Sequence, residues 1–280
     1  MTYSEIWHRI ATSYDDGEAR AIARILIEEL FGLSYADIVC GATEQLSADD
    51  TLRLDTAVRR IEQGEPLQHV LGYADFCGNR FCVNGSVLIP RPETEWLVDE
   101  GAKLMDGCVA SDETQHKAPH SPKRILDIGT GSGCIAISLK LRLGDAYVEA
   151  WDISEEALRT AQDNADALKA EVVFRKRDAL RADNTAAPWD LIVSNPPYIC
   201  DSERSAMDDN VLLHEPHTAL FVPDDDPLRF YRAIARYALL TLNIGGSLLF
   251  ECNTRYAEAT GTMLRDMGFE EVTVSDDCFN

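Results

Sequence analysis

Leu126-Asp127-Ile128-Gly129-Thr130-Gly131-Ser132-Gly133-Cys134 is the stretch that decides how this chain folds. The apolar run from Arg124 to Ile128 reads as a strand, the alternating glycines as a tight loop, and a helix starts near Cys134. Strand, glycine loop and helix in that order make the first unit of a parallel α/β sheet. Glycines let a backbone approach a ligand closely, and a helix N-terminus offers N–H groups to acceptor atoms. Gly129, Thr130, Gly131, Ser132 and Gly133 are therefore candidate cofactor-binding residues. The next strand, Tyr147 to Trp151, ends on Asp152, a position from which a carboxylate accepts from ribose hydroxyls. The spacing is G-x-G-x-G, with Cys134 where a dinucleotide loop carries its last glycine, which argues for a different nucleoside cofactor.

Downstream, the β-branched run Asp190 to Ser194 stops on Asn195-Pro196-Pro197-Tyr198. Two consecutive prolines have no N–H to give a ladder, so the strand ends at Asn195 and a rigid, donor-poor turn follows. Two readings stand side by side. Asn and Pro are ordinary turn residues, and the segment can be a strand-ending corner and nothing more. Alternatively, Asn195 Oδ1 and the Pro196 carbonyl accept the two protons of a planar NH2 group while the Tyr198 ring lies against its flat face. Accepting both protons raises electron density on that nitrogen and lets it pyramidalise, which is transition-state electrostatics rather than base catalysis.

The shorter glycine spacing followed by an acidic strand end resembles the S-adenosyl-L-methionine loop of class I methyltransferases. The resemblance then narrows. Leu88-Ile89-Pro90-Arg91-Pro92-Glu93-Thr94-Glu95, the glycine loop, Ser194 to Ile199 and Glu215-Pro216-His217-Thr218-Ala219-Leu220 follow the order seen in the release-factor protein-(glutamine-N5) methyltransferases of the PrmC/HemK type. It extends over nearly the whole chain, and Ile-Pro-Arg-Pro-Glu-Thr-Glu is its most particular motif. It implies transfer of a methyl group from S-adenosyl-L-methionine to the glutamine side-chain amide in the Gly-Gly-Gln loop of class 1 peptide chain release factors. Asn195, Pro196 and Tyr198 would be catalytic, and Asn195, Pro196, Pro197 and Tyr198 would hold the substrate. The cofactor would meet residues 129–133, Asp152, Asp178, Ala179 and Asn195. Asp178 either accepts from the adenine amino group or caps the next turn, and Ala179 occupies the family's adenine-contact position with a small side chain. Arg91 approaches the site or is a surface charge, and Glu251 hydrogen-bonds near the site or ends its strand. The rival activities are amino-group methylation of adenine or guanine in nucleic acid, which would need a flipped or unpaired base, and an idle cofactor-binding scaffold.

Composition bears on these rivals. The chain has 280 residues, 26 Lys and Arg against 48 Asp and Glu, and a formal net charge of −22. The acidity covers both ends, so free nucleic acid would be repelled and a protein substrate with a basic face suits it better. Eight scattered cysteines without a C-x-x-C pair read as small apolar residues in a reducing compartment. No metal is expected: the proline in His214-Glu215-Pro216-His217 forbids the helical face of a zinc motif. With no signal-peptide pattern and no apolar run long enough to span a bilayer, the expectation is a cytoplasmic protein, monomeric and free of membranes.

Along the chain, residues 1–72 predict a helical recognition bundle, with helices over 18–31, 34–39 and from Ser47, and with Tyr3 and Trp7 in its core. Residues 73–92 predict a β-hairpin linker, from short alternating runs around Gly78-Asn79 and Asn84-Gly85. Residues 93–280 predict a Rossmann-like methyltransferase domain, so the fold class is α/β with a helical bundle and hairpin ahead of it. Its first helix runs from Glu93 to Met105, and 106–122 is a polar surface loop. Further strands fall at 171–175, 190–195, 247–252 and 269–274, with helices at 154–169, 228–242 and 256–267. The segment 200–227 is a substrate-gripping lid. Family members continue beyond 276–280 into one more antiparallel strand, which leaves an open sheet edge as the expectation here.

Overall fold

The computed structural model describes residues 1–107, 122–182 and 188–275. The chain divides into two compact units, Met1–Tyr73 with Met207–Glu215, and Ala74–Ala206 with Pro216–Asn280. The break falls at the start of the hairpin, and the middle of the expected lid groups with the helices.

The first unit holds α1 (Tyr3–Ile10), α2 (Asp16–Phe31), α3 (Tyr35–Val39), α4 (Ala48–Glu62) and α5 (Leu67–Leu71). Each of the first four starts on a side chain that accepts from its first-turn N–H groups: Thr2, Asp15, Ser34 and Ser47. Gly32 ends α2 in the left-handed region at φ 67°. Ile6, Ile10, Leu26, Ile27, Leu54, Val58 and Ile61 form the core. Tyr3 and Trp7 sit at its margin, and Trp7 stacks on His8 under the Arg20 guanidinium. The core centre is therefore aliphatic, because the polar tips of Tyr and Trp seek a wet edge. Arg9 joins α1 to α4 through Asp55 and Glu62, both at 2.7 Å.

β1 (Tyr73–Phe76), all but its first residue in the second unit, and β2 (Asn79–Cys82) form the hairpin. Its turn is Cys77-Gly78, with φ 48° and 73°, so of the two glycine positions Gly78 lies in the turn and Gly85 lies beyond β2. The Cys77 N–H donates to Glu95 Oε1 at 2.7 Å, which ties the turn to the start of the following helix. Phe76 and Phe81 are buried in the main core, so the hairpin is an integral part of this unit. A 3-10 turn, Pro92–Thr94, precedes α6 (Glu95–Gly107). Most of the polar stretch after it, 108–121, lies outside the described residues.

The strand-helix alternation then follows as β3 (Arg124–Ile128), α7 (Cys134–Leu143), β4 (Tyr147–Asp152), α8 (Glu155–Leu168), β5 (Val172–Lys176) and β6 (Trp189–Ser194). Between β6 and the last sheet strand come β7 (Ile199–Cys200), α9 (Asp209–His214), α10 (His217–Leu220), β8 (Phe221–Val222) and α11 (Arg229–Thr241). The chain continues with β9 (Leu242–Phe250) and α12 (Ala257–Met267). The parallel sheet has the order β5-β4-β3-β6-β9. Period-two alternation sorts its side chains: Ile125, Val148, Leu191 and Val193 pack toward α6 and α7, while Leu126, Ile128, Trp151 and Ile192 pack toward α11. The order reverses between β3 and β6, and ligands of open α/β sheets bind at the carboxyl ends there.

Two expectations need correction. The fifth strand starts at Leu242 rather than Ser247, because Gly245 at φ 77° and Gly246 form a bulge that shifts register against β6. Residues 269–274 are not a strand: Glu271 turns the backbone at φ 52°, and β9 pairs with no second neighbour among the described residues. No helix of the described residues is long and apolar enough to cross a membrane.

Candidate active site

The glycine loop is closed by its own backbone. Gly129 and Thr130 donate to the Trp151 carbonyl at 2.8 and 2.9 Å, and Gly133 donates to Thr130 at 2.8 Å. Gly129, Gly131 and Gly133 all have positive φ. A Cβ on Gly133 would lie 2.9 Å from Ile137 Cδ1 and 3.1 Å from Ala161 Cβ, so that glycine packs helix against helix. A Cβ on Gly131 would meet nothing within 4 Å. Gly133 opens α7 without a side-chain cap. The buried Thr130 hydroxyl donates to Asp127 Oδ2 at 2.6 Å, and Ser132 is buried. Asn164 on α8 donates to the Ser132 carbonyl at 2.9 Å, and it exchanges hydrogen bonds with both backbone groups of Cys82. It ties the hairpin to the loop.

Asp152 sits beside the loop, accepting from Gly131 N–H on Oδ2 and Ser154 N–H on Oδ1, both at 2.9 Å. Burial pushes its carboxyl up, and those backbone donors pull it back. Each oxygen keeps a lone pair for a further donor. Asp178 follows β5, and its Oδ1 accepts from Leu180 N–H at 2.9 Å, capping the turn Ala179–Arg181. Ala179 packs against the sheet face that carries Trp151. An exposed-side glycine, an uncapped helix start and a carboxylate with lone pairs to spare fit a nucleoside cofactor held by residues 129–133 and Asp152.

The other half of the site is at the end of β6. Ser194 is buried and donates to the Ile128 carbonyl at 2.6 Å, locking β6 to β3 where the loop begins. A Cβ on Gly129 would lie 4.0 Å from the Asn195 carbonyl oxygen, so the loop and the Asn-Pro-Pro-Tyr corner are neighbours. Asn195 Nδ2 donates to Thr94 Oγ1 at 3.3 Å. Its Oδ1 is buried and has no hydrogen-bond partner among the described residues. Pro196 is buried and Pro197 partly so. Tyr198 donates to Glu251 Oε1 at 3.1 Å, and Thr94 donates to Glu251 Oε2 at 2.6 Å. Burial, then the Glu251 charge, hold the Tyr198 hydroxyl far above its usual range, and the nearby Arg91 opposes them. Burial also raises the Glu251 carboxyl against donation from Thr94 and Tyr198.

The structure thus gathers residues 129–133, Asp152 and Asn195–Tyr198 around one end of the sheet. Neither Thr94 nor Asn164 is singled out by the sequence. Both act through partners far away in the chain, although Thr94 lies inside the particular Pro-Glu-Thr-Glu motif. Of the His214-Glu215-Pro216-His217 run, the first two residues belong to the helical unit and His217 starts α10 in the other.

Residues 8–72 match the PrmC N-terminal domain and residues 96–220 the Methyltransferase small domain. A Release factor glutamine methyltransferase of Bacteroides thetaiotaomicron is 44% identical over 95% of this chain and 91% of its own length. Its counterpart in Flavobacterium psychrophilum is 36% identical over 96% and 92%. Among solved structures, the hMettl16 catalytic domain, in complex with the MAT2A 3′UTR hairpin 6, superposes with a TM-score of 0.52. The match covers 84% of this chain and 78% of that one at 18% identity, a likeness of fold alone.

Proposed function

This chain belongs to the release factor glutamine methyltransferase family, and from that premise we propose that it methylates the glutamine side-chain amide in the Gly-Gly-Gln loop of a class 1 peptide chain release factor. S-adenosyl-L-methionine is the methyl donor of such an enzyme and supplies an electrophilic methyl group on a sulfonium. The chain's residues do the rest. Residues 129–133 and Asp152 hold the cofactor, and Asn195 Oδ1 and the Pro196 carbonyl accept the two amide protons of the acceptor. The Tyr198 ring bounds the flat face of that amide. Holding both protons keeps the nitrogen lone pair directed at the methyl carbon, so the gain comes from positioning and preorganised dipoles. As the N–C bond formed, the bond from that methyl group to sulfur would break and leave a neutral thioether; the methylated nitrogen, then positively charged and acidic, would give its proton to water.

The observation that carries the reading is the buried Asn195 Oδ1, which has no partner among the described residues and lies next to the glycine loop. A buried acceptor left unsatisfied costs about 1–3 kcal/mol, an outlay that an incoming N–H reverses. The reading includes a cytoplasmic monomer acting on a protein, and the net charge of −22 disfavours free nucleic acid. Incubation with methyl-labelled cofactor, a class 1 release factor and bulk RNA tests it. Label should appear on the glutamine of the Gly-Gly-Gln peptide; label on the RNA, with none on the release factor, overturns it.

A further inference from the structure

We propose that Thr94 and Glu251 form a polarity lock that decides which end of the Asn195 carboxamide faces the acceptor. The inference deepens the reading above and rests on it for the nature of the acceptor. A carboxamide is nearly symmetric in shape, so rotation about its last torsion exchanges oxygen and nitrogen without changing the volume filled. With Nδ2 turned inward, the site would point N–H groups at an incoming NH2, and donor would meet donor. Asn195 alone does not prevent this.

Its neighbours do. A hydroxyl has a single proton, and Thr94 gives its proton to Glu251 Oε2 at 2.6 Å. Oγ1 then shows Asn195 only lone pairs, and the group facing it at 3.3 Å has to be an N–H. Tyr198 spends its one proton on Glu251 Oε1 at 3.1 Å. The carboxylate is an acceptor only, so it sets the direction of every bond in the chain from Asn195 through Thr94 and from Tyr198. Asn195 Nδ2 is drawn toward this cluster, and Oδ1 is left directed away from it, without a partner among the described residues.

Glu251 is anchored for this task by its backbone. Its N–H donates to the Ser194 carbonyl at 3.1 Å, and its carbonyl accepts from Tyr231 Oη at 3.2 Å. Its side chain reaches Thr94, 157 residues earlier in the chain, rather than capping the end of its own strand. Thr94 is buried, at 3% exposure. Thr94 and Glu251 act through Asn195 and Tyr198, as positioning residues.

Thr94→Val keeps the shape and removes the hydroxyl. It should lower kcat on the release factor by roughly 10- to 100-fold, the scale of one misdirected buried hydrogen bond. The cofactor Kd should stay within about twofold. Thr94→Ser should return kcat to within about threefold of wild type, which a role in packing alone would not do. In an Asn195→Ala background, Thr94→Val should add less than about twofold, because the lock then has nothing to hold. Glu251→Gln can donate toward Thr94 and should lower kcat by about tenfold at unchanged cofactor Kd. A second readout is independent of the acceptor. In selectively ¹⁵N-Asn protein, the Asn195 side-chain amide protons should be protected from exchange in wild type and Thr94→Ser and unprotected in Thr94→Val. Wild-type kcat in Thr94→Val, a full loss repeated in the Asn195→Ala background, or unprotected amide protons in wild type would each overturn the lock. If wild type modifies no release factor, the proposed acceptor fails, while the amide signal still decides whether Asn195 is held this way.

Discussion

The glycine loop and the Asn-Pro-Pro-Tyr corner lie side by side but are built in opposite ways. The loop is made of backbone: its N–H groups bond to the Trp151 carbonyl and the Asp152 carboxylate one strand away, and its side chains are mostly absent. The corner is made of side chains drawn from three distant segments, around Thr94, Asn195 and Glu251. A backbone cradle fails when a Cβ is added, and a side-chain relay fails when one atom is removed. Changes in the loop should therefore appear in cofactor affinity and stability, and changes in the corner in turnover.

The largest effect should come from the corner. Asn195→Ala removes the oxygen that meets the acceptor and should cut kcat by roughly 100- to 1000-fold, the cost of one preorganised transition-state contact. Cofactor Kd should stay within about twofold when measured by calorimetry. Near-normal turnover would remove Asn195 from the chemistry and erase the distinction. Asp152→Ala tests the other side: it should weaken cofactor binding by about 10- to 100-fold, the scale of a charge-assisted bond. An unchanged Kd would show that its oxygens serve only the Gly131 and Ser154 amides they already hold.

The two glycines of the loop sharpen the contrast. Gly133→Ala places a methyl 2.9 Å from Ile137 Cδ1, and Gly131→Ala places one where nothing lies within 4 Å. Both pay for a left-handed backbone, about 1–2 kcal/mol. Gly133→Ala should add an overpacking cost of about 1–3 kcal/mol to that, seen as an earlier urea midpoint. Gly131→Ala should unfold later than Gly133→Ala and yet bind cofactor more weakly. Equal affinity in Gly131→Ala and wild type would mean that no ligand approaches at this point.

The same division explains what could be read in advance. The loop, the strand ends at Ile128 and Asp152 and the Asn-Pro-Pro-Tyr corner are contiguous in sequence, and their periodicity and spacing are local signals. Thr94 and Glu251 meet only after five strands have been ordered, and nothing in either neighbourhood specifies the other. In sequence Asn164 is one more polar residue of a helix, and only the fold shows that it substitutes for a strand partner of Cys82. Residues 269–274 have strand composition, but a strand also needs a ladder partner, which composition does not reveal. α9 spans six residues, Asp209–His214, too few for its amphipathic face to announce that it groups with the helical unit.

The smallest effect concerns the acid at the base of the loop. Asp127 is fully buried on β3, and burial pushes its carboxyl up to about 7 against donation from the Thr130 hydroxyl. In the unfolded chain it returns to the ordinary carboxylate range. A group raised on folding adds stability that is complete below its unfolded pKa and is lost as pH rises through its folded one. The stabilisation from Asp127 should thus decline between about pH 4 and pH 7, by about 1.4 kcal/mol per pH unit at most, and level off above. Asp127→Asn cannot ionise, so the urea-unfolding free energy of wild type minus that of the variant isolates this change from the other titrating groups. A difference that falls toward pH 7 and then flattens places the electrostatic cost of the cradle in folding. Parallel curves would mean that Asp127 titrates alike in the folded and unfolded chain, so that the donors of the loop offset the whole cost of its burial and the cradle carries no electrostatic penalty of its own.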